Sequence, residues 1–272
     1  MIEVSCDGAT VTDPVTAAGT DSVRRAWAAG RAARNGWLTV PDPHLVEVIA
    51  AYAAGHDVLD ALTLDLQHGL FDRARSADAV RAIAAHGLAP LVRLPAVDES
   101  IIGFVLDLGV RGVIAPMVSD AATATELVAA CRYPPRGRRS FGPLRTALRP
   151  GDDPIGSADE VLAFAMIETS DALARADEIA AAPGLDGLFV GPGDLGVALG
   201  LGPAQDREEP AIHDAFRRVL AACSGAGKRA AVHATHAEYA AARAADGFAL
   251  VTVWSDVPAV LSTLDAAGRA WG

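Results

Sequence analysis

Cysteine is scarce in this chain, with Cys6, Cys131 and Cys223 alone among 272 residues. They stand far apart and odd in number, and no Cys-x-x-Cys or Cys/His cluster occurs. That excludes a disulfide framework and a structural zinc site, and the expected compartment is a reducing cytoplasm. Lysine is scarcer still: Lys228 is the one example, so chemistry through a lysine imine has a single candidate. No run approaches the roughly 18 uninterrupted apolar residues that a membrane helix needs. The opening Met1-Ile2-Glu3-Val4-Ser5-Cys6-Asp7-Gly8 has neither the basic start nor the apolar core of a secretory signal. Positive charge is in deficit, with a formal net charge of −11. Such a chain repels phosphate backbones, which argues against nucleic-acid binding. An anionic substrate would need local cations or a metal to hold it.

Apolar residues are plentiful, at 51%, and the length suits one large α/β domain. Residues 1–22 lack clear periodicity and are expected to form an N-terminal extension; 23–272 are expected to form a single domain. There, short apolar runs alternate with Ala-rich stretches of helical spacing. The strand candidates are 36–40, 61–65, 90–94, 112–116, 162–168, 187–190, 229–233 and 248–254. The helix candidates are 44–54, 77–85, 99–108, 121–131, 171–181, 211–224, 236–245 and 258–270. Glycines 55, 87, 109, 225 and 247 are placed to close helices. Strands that are apolar throughout are covered on both faces, which means a parallel sheet under helices. Eight β/α units in this length predict a TIM (β/α)8 barrel.

In such a barrel, catalytic groups collect where strands open into loops at their C-terminal ends. Asp65-Leu66-Gln67-His68-Gly69 follows the apolar run Ala61-Leu62-Thr63-Leu64 at one such end. A neutral imidazole can take a proton there, with a nearby carboxylate to orient it. The plainer reading is a capping Asp and an incidental His. Glu168 closes Phe164-Ala165-Met166-Ile167, and an acid ending an apolar strand is costly unless it meets water, a cation or a metal. Capping would instead fall to Thr169 or Ser170. Asp194 lies in Gly191-Pro192-Gly193-Asp194-Leu195, a turn that lets backbone approach a ligand, or a βα turn with Asp as its cap. Two carboxylates suit Mg²⁺ or Mn²⁺ better than Zn²⁺, with water and substrate oxygens completing the shell; Co²⁺ is also compatible. Arg93, in Leu91-Val92-Arg93-Leu94-Pro95, either grips a carboxylate or phosphate or forms an ion pair across the barrel mouth. The segment Arg132–Pro143 carries four arginines and two aromatics. It reads equally as a functional loop or an exposed interface loop.

These motifs, with Pro116-Met117-Val118, Arg132-Tyr133-Pro134-Pro135-Arg136-Gly137 and Ile167-Glu168-Thr169, occur in the order and near the spacing of the HpcH/HpaI aldolases. The chain resembles that family over about residues 30–260. These are class II aldolases that cleave or form 4-hydroxy-2-oxoacids through a pyruvate enolate. The resemblance implies a hexamer built as a trimer of dimers, a divalent ion on Glu168 and Asp194, and His68 as base with Asp65 as its partner. It also implies Arg93 on the pyruvyl carboxylate and Asp107 reaching a neighbouring subunit's site. Substrates would be an oxoacid, pyruvate plus an aldehyde. Lys228 precedes strand 7, at the wrong face of the barrel for an imine.

The sequence also departs from the family pattern. Met166 stands where a Gln is common, removing a polar ligand or water holder. Gly193 replaces an alanine and makes room beside the metal. His233 ends strand 7 and would place a second proton-transfer group in the aldehyde pocket, and Trp254 would wall it. These changes are expected to alter the choice of aldehyde more than the binding of pyruvate. Three other readings stand beside this one. The first is a lyase for acyl-CoA thioesters, similar to citryl- and malyl-CoA lyases, which would need the Arg132–Arg139 segment as a basic surface. The second is a biosynthetic family member that forms carbon–carbon bonds on an unusual acceptor. The third is a non-catalytic binding protein, which intact His68, Glu168, Asp194 and Arg93 argue against.

Overall fold

The computed structural model describes residues 22–143, 153 and 155–271. Eight parallel strands close into a barrel in sequence order, each paired with its neighbours and the last with the first. They are β1 (Ala33–Leu38), β2 (Ala61–Asp65), β3 (Ala89–Arg93), β4 (Gly112–Ala115), β5 (Leu162–Ile167), β6 (Gly187–Val190), β7 (Arg229–Val232) and β8 (Leu250–Ser255). Helices α1 (Ser22–Ala28), α2 (Pro43–Gly55), α3 (Arg73–Ala85), α4 (Glu99–Asp107), α5 (Ala121–Cys131) and α6 (Gly156–Asp159) precede β5. After it come α7 (Ser170–Ala174), α8 (Ala176–Ala180), α9 (Pro192–Ala198), α10 (Pro210–Ala226), α11 (Ala237–Asp246) and α12 (Asp256–Trp271). This is the expected TIM barrel. No helix among the described residues is long and apolar enough to cross a membrane.

Strand alternation splits the core in two. One set packs between strands and helices, including Leu62, Leu64, Val92, Val113 and Ile167. The other fills the barrel: Ala33, Trp37, Leu91, Ile114, Phe164, Met166, Phe189 and Leu250. Val23 and Ala26 of α1 join the inner set, and the Trp27 indole N–H donates to the Ala249 carbonyl at 2.6 Å. Helix α1 therefore plugs the N-terminal mouth. Inside, Asn35 donates to Thr252 at 3.1 Å and accepts from Thr63 at 2.9 Å, so this polar trio satisfies itself. Asp256 ties β8 to the end of β1 by accepting from the N–H groups of Thr39 and Val40 at 2.7 and 2.8 Å.

Several expected bounds change. β1 runs Ala33–Leu38 rather than 36–40, because interior Asn35 and its neighbour Arg34 hide the strand among polar residues. The helix expected over 171–181 breaks at Arg175 into α7 and α8. Helices α1, α6 and α9 were not expected. α3 starts at Arg73, not 77, where the Asp72 carboxylate caps the Arg75 N–H. Left-handed glycines stop helices at 87, 109 and 247. Gly227, not Gly225, stops α10, and Gly55 is the helical end of α2. Of the expected extension, residues 1–21 lie outside the described residues.

Candidate active site

At the C-terminal rim a cleft of about 110 Å³ is lined by side chains from β1, β3 and β5 and by the segments after β2, β6 and β7. It brings together His68, Arg93, Glu168, Gly193, Asp194 and His233 from the sequence candidates. Trp37 and Gln205 join them. Asp65 lies directly beneath, Asp107 stands apart, and Trp254 does not line the cleft.

Register pairs Asp65 with Arg93 across β2 and β3. The Arg93 guanidinium therefore meets the Asp65 carboxylate through two bonds, Nε to Oδ1 at 2.9 Å and Nη2 to Oδ2. Asp65 also accepts from the backbone N–H groups of Gln67 and His68 at 3.0 and 3.1 Å and from the Trp37 indole at 3.3 Å. Burial would raise this carboxyl, but the Arg93 bonds and charge and the two N–H donors hold it below the usual carboxylate range. The expected Asp65–imidazole pair is thus corrected. A permanently charged guanidinium on the adjacent strand takes the carboxylate, and Asp65 touches His68 through the backbone. Gly69 lets the chain fold back over the Asp65 carbonyl, where a Cβ would collide. The His68 ring is left exposed on the rim. Arg93 lies 5.0 Å from the Trp37 ring centroid, a cation–π contact. Its bonds to Asp65 use Nε and Nη2, leaving Nη1 for a ligand.

Glu168 is 2% exposed. Its Oε2 accepts from the Met117 N–H at 2.9 Å, which a left-handed Met117 backbone (φ 55°) aims at it. Its Oε1 is buried with no hydrogen-bond partner. Gly191 gives that oxygen space: a Cβ there would lie 2.8 Å from it. Burial raises the Glu168 carboxyl above its ordinary range; the Met117 N–H opposes this and the Asp194 charge adds to it. Capping of α7 falls to Thr169, whose hydroxyl accepts from Ala172 N–H at 3.1 Å. Asp194 sits inside the first turn of α9, with Gly191 at the cap position, so it does not cap that helix. An orphaned buried carboxylate oxygen beside a second carboxylate fits a divalent cation. Among the described residues no group of three or more His, Cys, Asp or Glu could hold a metal. The protein would therefore supply two carboxylates, with other oxygens completing the shell.

His233 packs its ring edge-on to Trp37 at 4.8 Å, and its Nδ1 is buried with no partner. Burial, helped by the Arg93 charge and opposed by Asp206 and Asp65, drives the imidazole down to about 4. Burial thus favours the neutral ring at physiological pH, and its Nδ1 gives the cleft wall a polar atom. Because the folded value lies below the unfolded value of about 6.5, neutral His233 stabilises the fold fully above pH 6.5. That stability is lost as pH falls from 6.5 towards 4, when the unfolded chain takes up the proton. The full difference is about 3 kcal/mol. His233→Phe is expected to flatten the fall in unfolding free energy between pH 7 and pH 4.5, measured by urea titration. Equal acid sensitivity in both proteins would refute a buried neutral imidazole.

Trp254 is placed elsewhere by a bulge. Asn35 pairs with Thr252, but Gly36 pairs with Trp254, so Val253 is extra and the alternation breaks. Trp254 then packs outward near Leu59 and Leu62, filling the space at Gly36. Trp37 is the tryptophan of the cleft; the inward alternation Ala33, Asn35, Trp37 carried that signal. Gln205 carried none, since it lies off every strand end. Asp107 pairs with Arg139 of the same chain at 2.6 Å. The other arginines of that segment are paired too: Arg132 with the Val161 carbonyl and Asp186, Arg136 with Asp159, Arg138 with Glu99. Arg132 and Arg139 are buried and anchor the segment to the barrel, whereas Arg136 and Arg138 remain exposed in surface ion pairs.

The rim thus gathers one guanidinium, two carboxylates and an exposed imidazole around a single cleft. The chain is a lyase of the class II aldolase type. It belongs to the HpcH/HpaI aldolase/citrate lyase family, whose profile matches residues 37–271. It is 40% identical over 250 residues to a hydroxypyruvate/pyruvate aldolase of Rhizorhabdus wittichii, covering 92% of this chain and 96% of that one. It is 38% identical over 208 residues to a 4-hydroxy-2-oxovalerate aldolase of Rhodococcus jostii, covering 74% and 78%. A crystal structure of an HpcH/HpaI aldolase/citrate lyase family protein from Burkholderia cenocepacia superposes with a TM-score of 0.82 at 28% identity, covering 93% of this chain and all of that one.

Proposed function

We propose that the protein cleaves or forms 4-hydroxy-2-oxoacids, exchanging them with pyruvate and an aldehyde. The observation that carries this reading is the unpartnered, buried Glu168 Oε1 beside Asp194, in one cleft with Arg93 and His68. Glu168 and Asp194 hold a divalent cation, Mg²⁺ or Mn²⁺, with Co²⁺ also compatible. When bound, that cation supplies Lewis-acid stabilisation of charge on the 2-oxo group. Arg93, braced by Asp65 and stacked on Trp37, binds the oxoacid carboxylate and fixes the orientation of the C3–C4 bond. In cleavage, His68 takes the C4 hydroxyl proton; the C3–C4 bond breaks, the aldehyde leaves, and its electron pair stays on the pyruvyl fragment. A proton returned to C3 gives pyruvate. Synthesis runs the same steps in reverse. The names of the relatives add hydroxypyruvate as a second donor to try.

We also propose a homo-oligomer, as a trimer of dimers, with Asp107 near the partner's site. Val257, Val260, Leu261 and Leu264 form an exposed apolar stripe along α12, which supports association of copies. The cytoplasm remains the proposed compartment, on the strength of the free, buried Cys131 and Cys223.

The test is release of pyruvate or hydroxypyruvate from a panel of 4-hydroxy-2-oxoacids, with EDTA and after metal is added back. Activity that EDTA abolishes and Mg²⁺ or Mn²⁺ restores is the expected result. Activity indifferent to chelator would overturn the cation's role.

A further inference from the structure

Gln205 reaches the cleft from the segment between α9 and α10, not from a strand end. Its amide occupies the space over Gly193. A Cβ at residue 193 would lie 2.7 Å from Gln205 Nε2 and 3.4 Å from Oε1. The room that glycine makes is therefore filled by this side chain, and any larger residue at 193 would evict it. The Gln205 amide makes no hydrogen bond among the described residues.

Its backbone is nonetheless fixed on the C-terminal side. Asp206 accepts from the Thr235 and His236 N–H groups at 2.9 and 2.8 Å and from the Thr235 hydroxyl at 3.0 Å. It also accepts from His236 Nδ1 at 2.6 Å. Arg207 is buried and donates to the carbonyls of Gly202 and Leu201 at 2.7 and 2.6 Å. The Tyr239 hydroxyl donates to the Arg207 carbonyl at 2.7 Å. The Asp206 clamp joins this segment to the turn two residues beyond His233, so Gln205 and His233 are held on one side of the cleft. Met166 offers no polar group from β5.

A positioned amide with no protein partner, facing a cleft, is complementary to a neutral oxygen, since it can both donate and accept. We infer that Gln205, admitted by Gly193, is a specificity-determining residue for the aldehyde fragment. It favours acceptors that carry a hydroxyl or second carbonyl oxygen over alkyl aldehydes of the same size. This inference rests on the aldolase reading above.

The test compares addition of pyruvate to glycolaldehyde and to propanal, which exchange a hydroxyl for a methyl. Proton exchange on pyruvate alone, in D₂O, serves as the reference that needs no acceptor. Gln205→Ala and Gln205→Leu are each expected to lower the glycolaldehyde-to-propanal ratio of kcat/KM by about 10-fold, the order of one lost hydrogen bond. Gly193→Ala is expected to lower the same ratio, and Gly193→Ala/Gln205→Ala should lower it no further than Gln205→Ala does. An unchanged ratio, or a change with Gln205→Ala but not with Gln205→Leu, would overturn the inference. So would equal losses with both aldehydes and in proton exchange, which would put Gln205 at the pyruvate end. A wild-type protein that neither exchanges pyruvate protons nor forms aldols would overturn the aldolase reading itself.

Discussion

Glu168→Gln is expected to lower metal-stimulated turnover by about 10²–10³-fold, the usual loss when a preorganised charge-stabilising group is removed. The substitution keeps the shape of the side chain and removes its charge. The Met117 N–H still finds an oxygen acceptor, so the local backbone is retained. What disappears is the anionic oxygen that is buried without a protein partner. Burial already disfavours the charged form of this residue, so the neutral amide should leave the metal-free protein at least as heat-stable as the parent. Two measurements check this together: kcat/KM against Mn²⁺ concentration, and the Tm with and without Mn²⁺. The parent should gain Tm with metal and the variant should gain little, because a ligand stabilises only the state that binds it. Asp194→Asn should behave alike in turnover. Full activity of either variant in chelator would remove both carboxylates from the mechanism.

His68→Ala is expected to lower kcat for retro-aldol cleavage by roughly 10²–10⁴-fold, the range for loss of a general base. The ring is exposed on the rim and its backbone N–H is pinned by Asp65, so truncation removes the imidazole without loosening the turn. The fold should be unaffected, as Tm would show. Asp65 provides a contrasting variant. Its carboxylate braces Arg93 and does not bond the imidazole, so Asp65→Asn should raise KM for the oxoacid more than it lowers kcat. A kcat loss in Asp65→Asn as large as that of His68→Ala, with KM unchanged, would restore the acid–imidazole pair. An unchanged kcat in His68→Ala would take that residue out of proton transfer.

Much of the molecule was decided by the chain's own pattern. Eight short apolar runs separated by amphipathic stretches leave few ways to bury both faces of every strand, and closure into a barrel is the one that the length permits. Because a barrel collects its chemistry at the ends of its strands, Arg93, Glu168 and the turns holding His68 and Asp194 could be picked out before any contact was known. The relations between strands were settled by tertiary structure. The pairing of Asp65 with Arg93 depends on register between β2 and β3, which fixes a carboxylate opposite a guanidinium. The exclusion of Trp254 from the cleft depends on one extra residue, Val253, where β8 meets β1. The neutrality of His233 depends on how deeply its ring is buried beside Trp37 and Arg93. Gln205 enters the site over Gly193, which lies earlier in the chain and is made adjacent by the turn after α9. Periodicity reports which face of an element is covered, because that depends on local geometry. Which side chains then meet across the rim depends on register, bulges and loop paths, and these are set by packing between segments far apart in the chain.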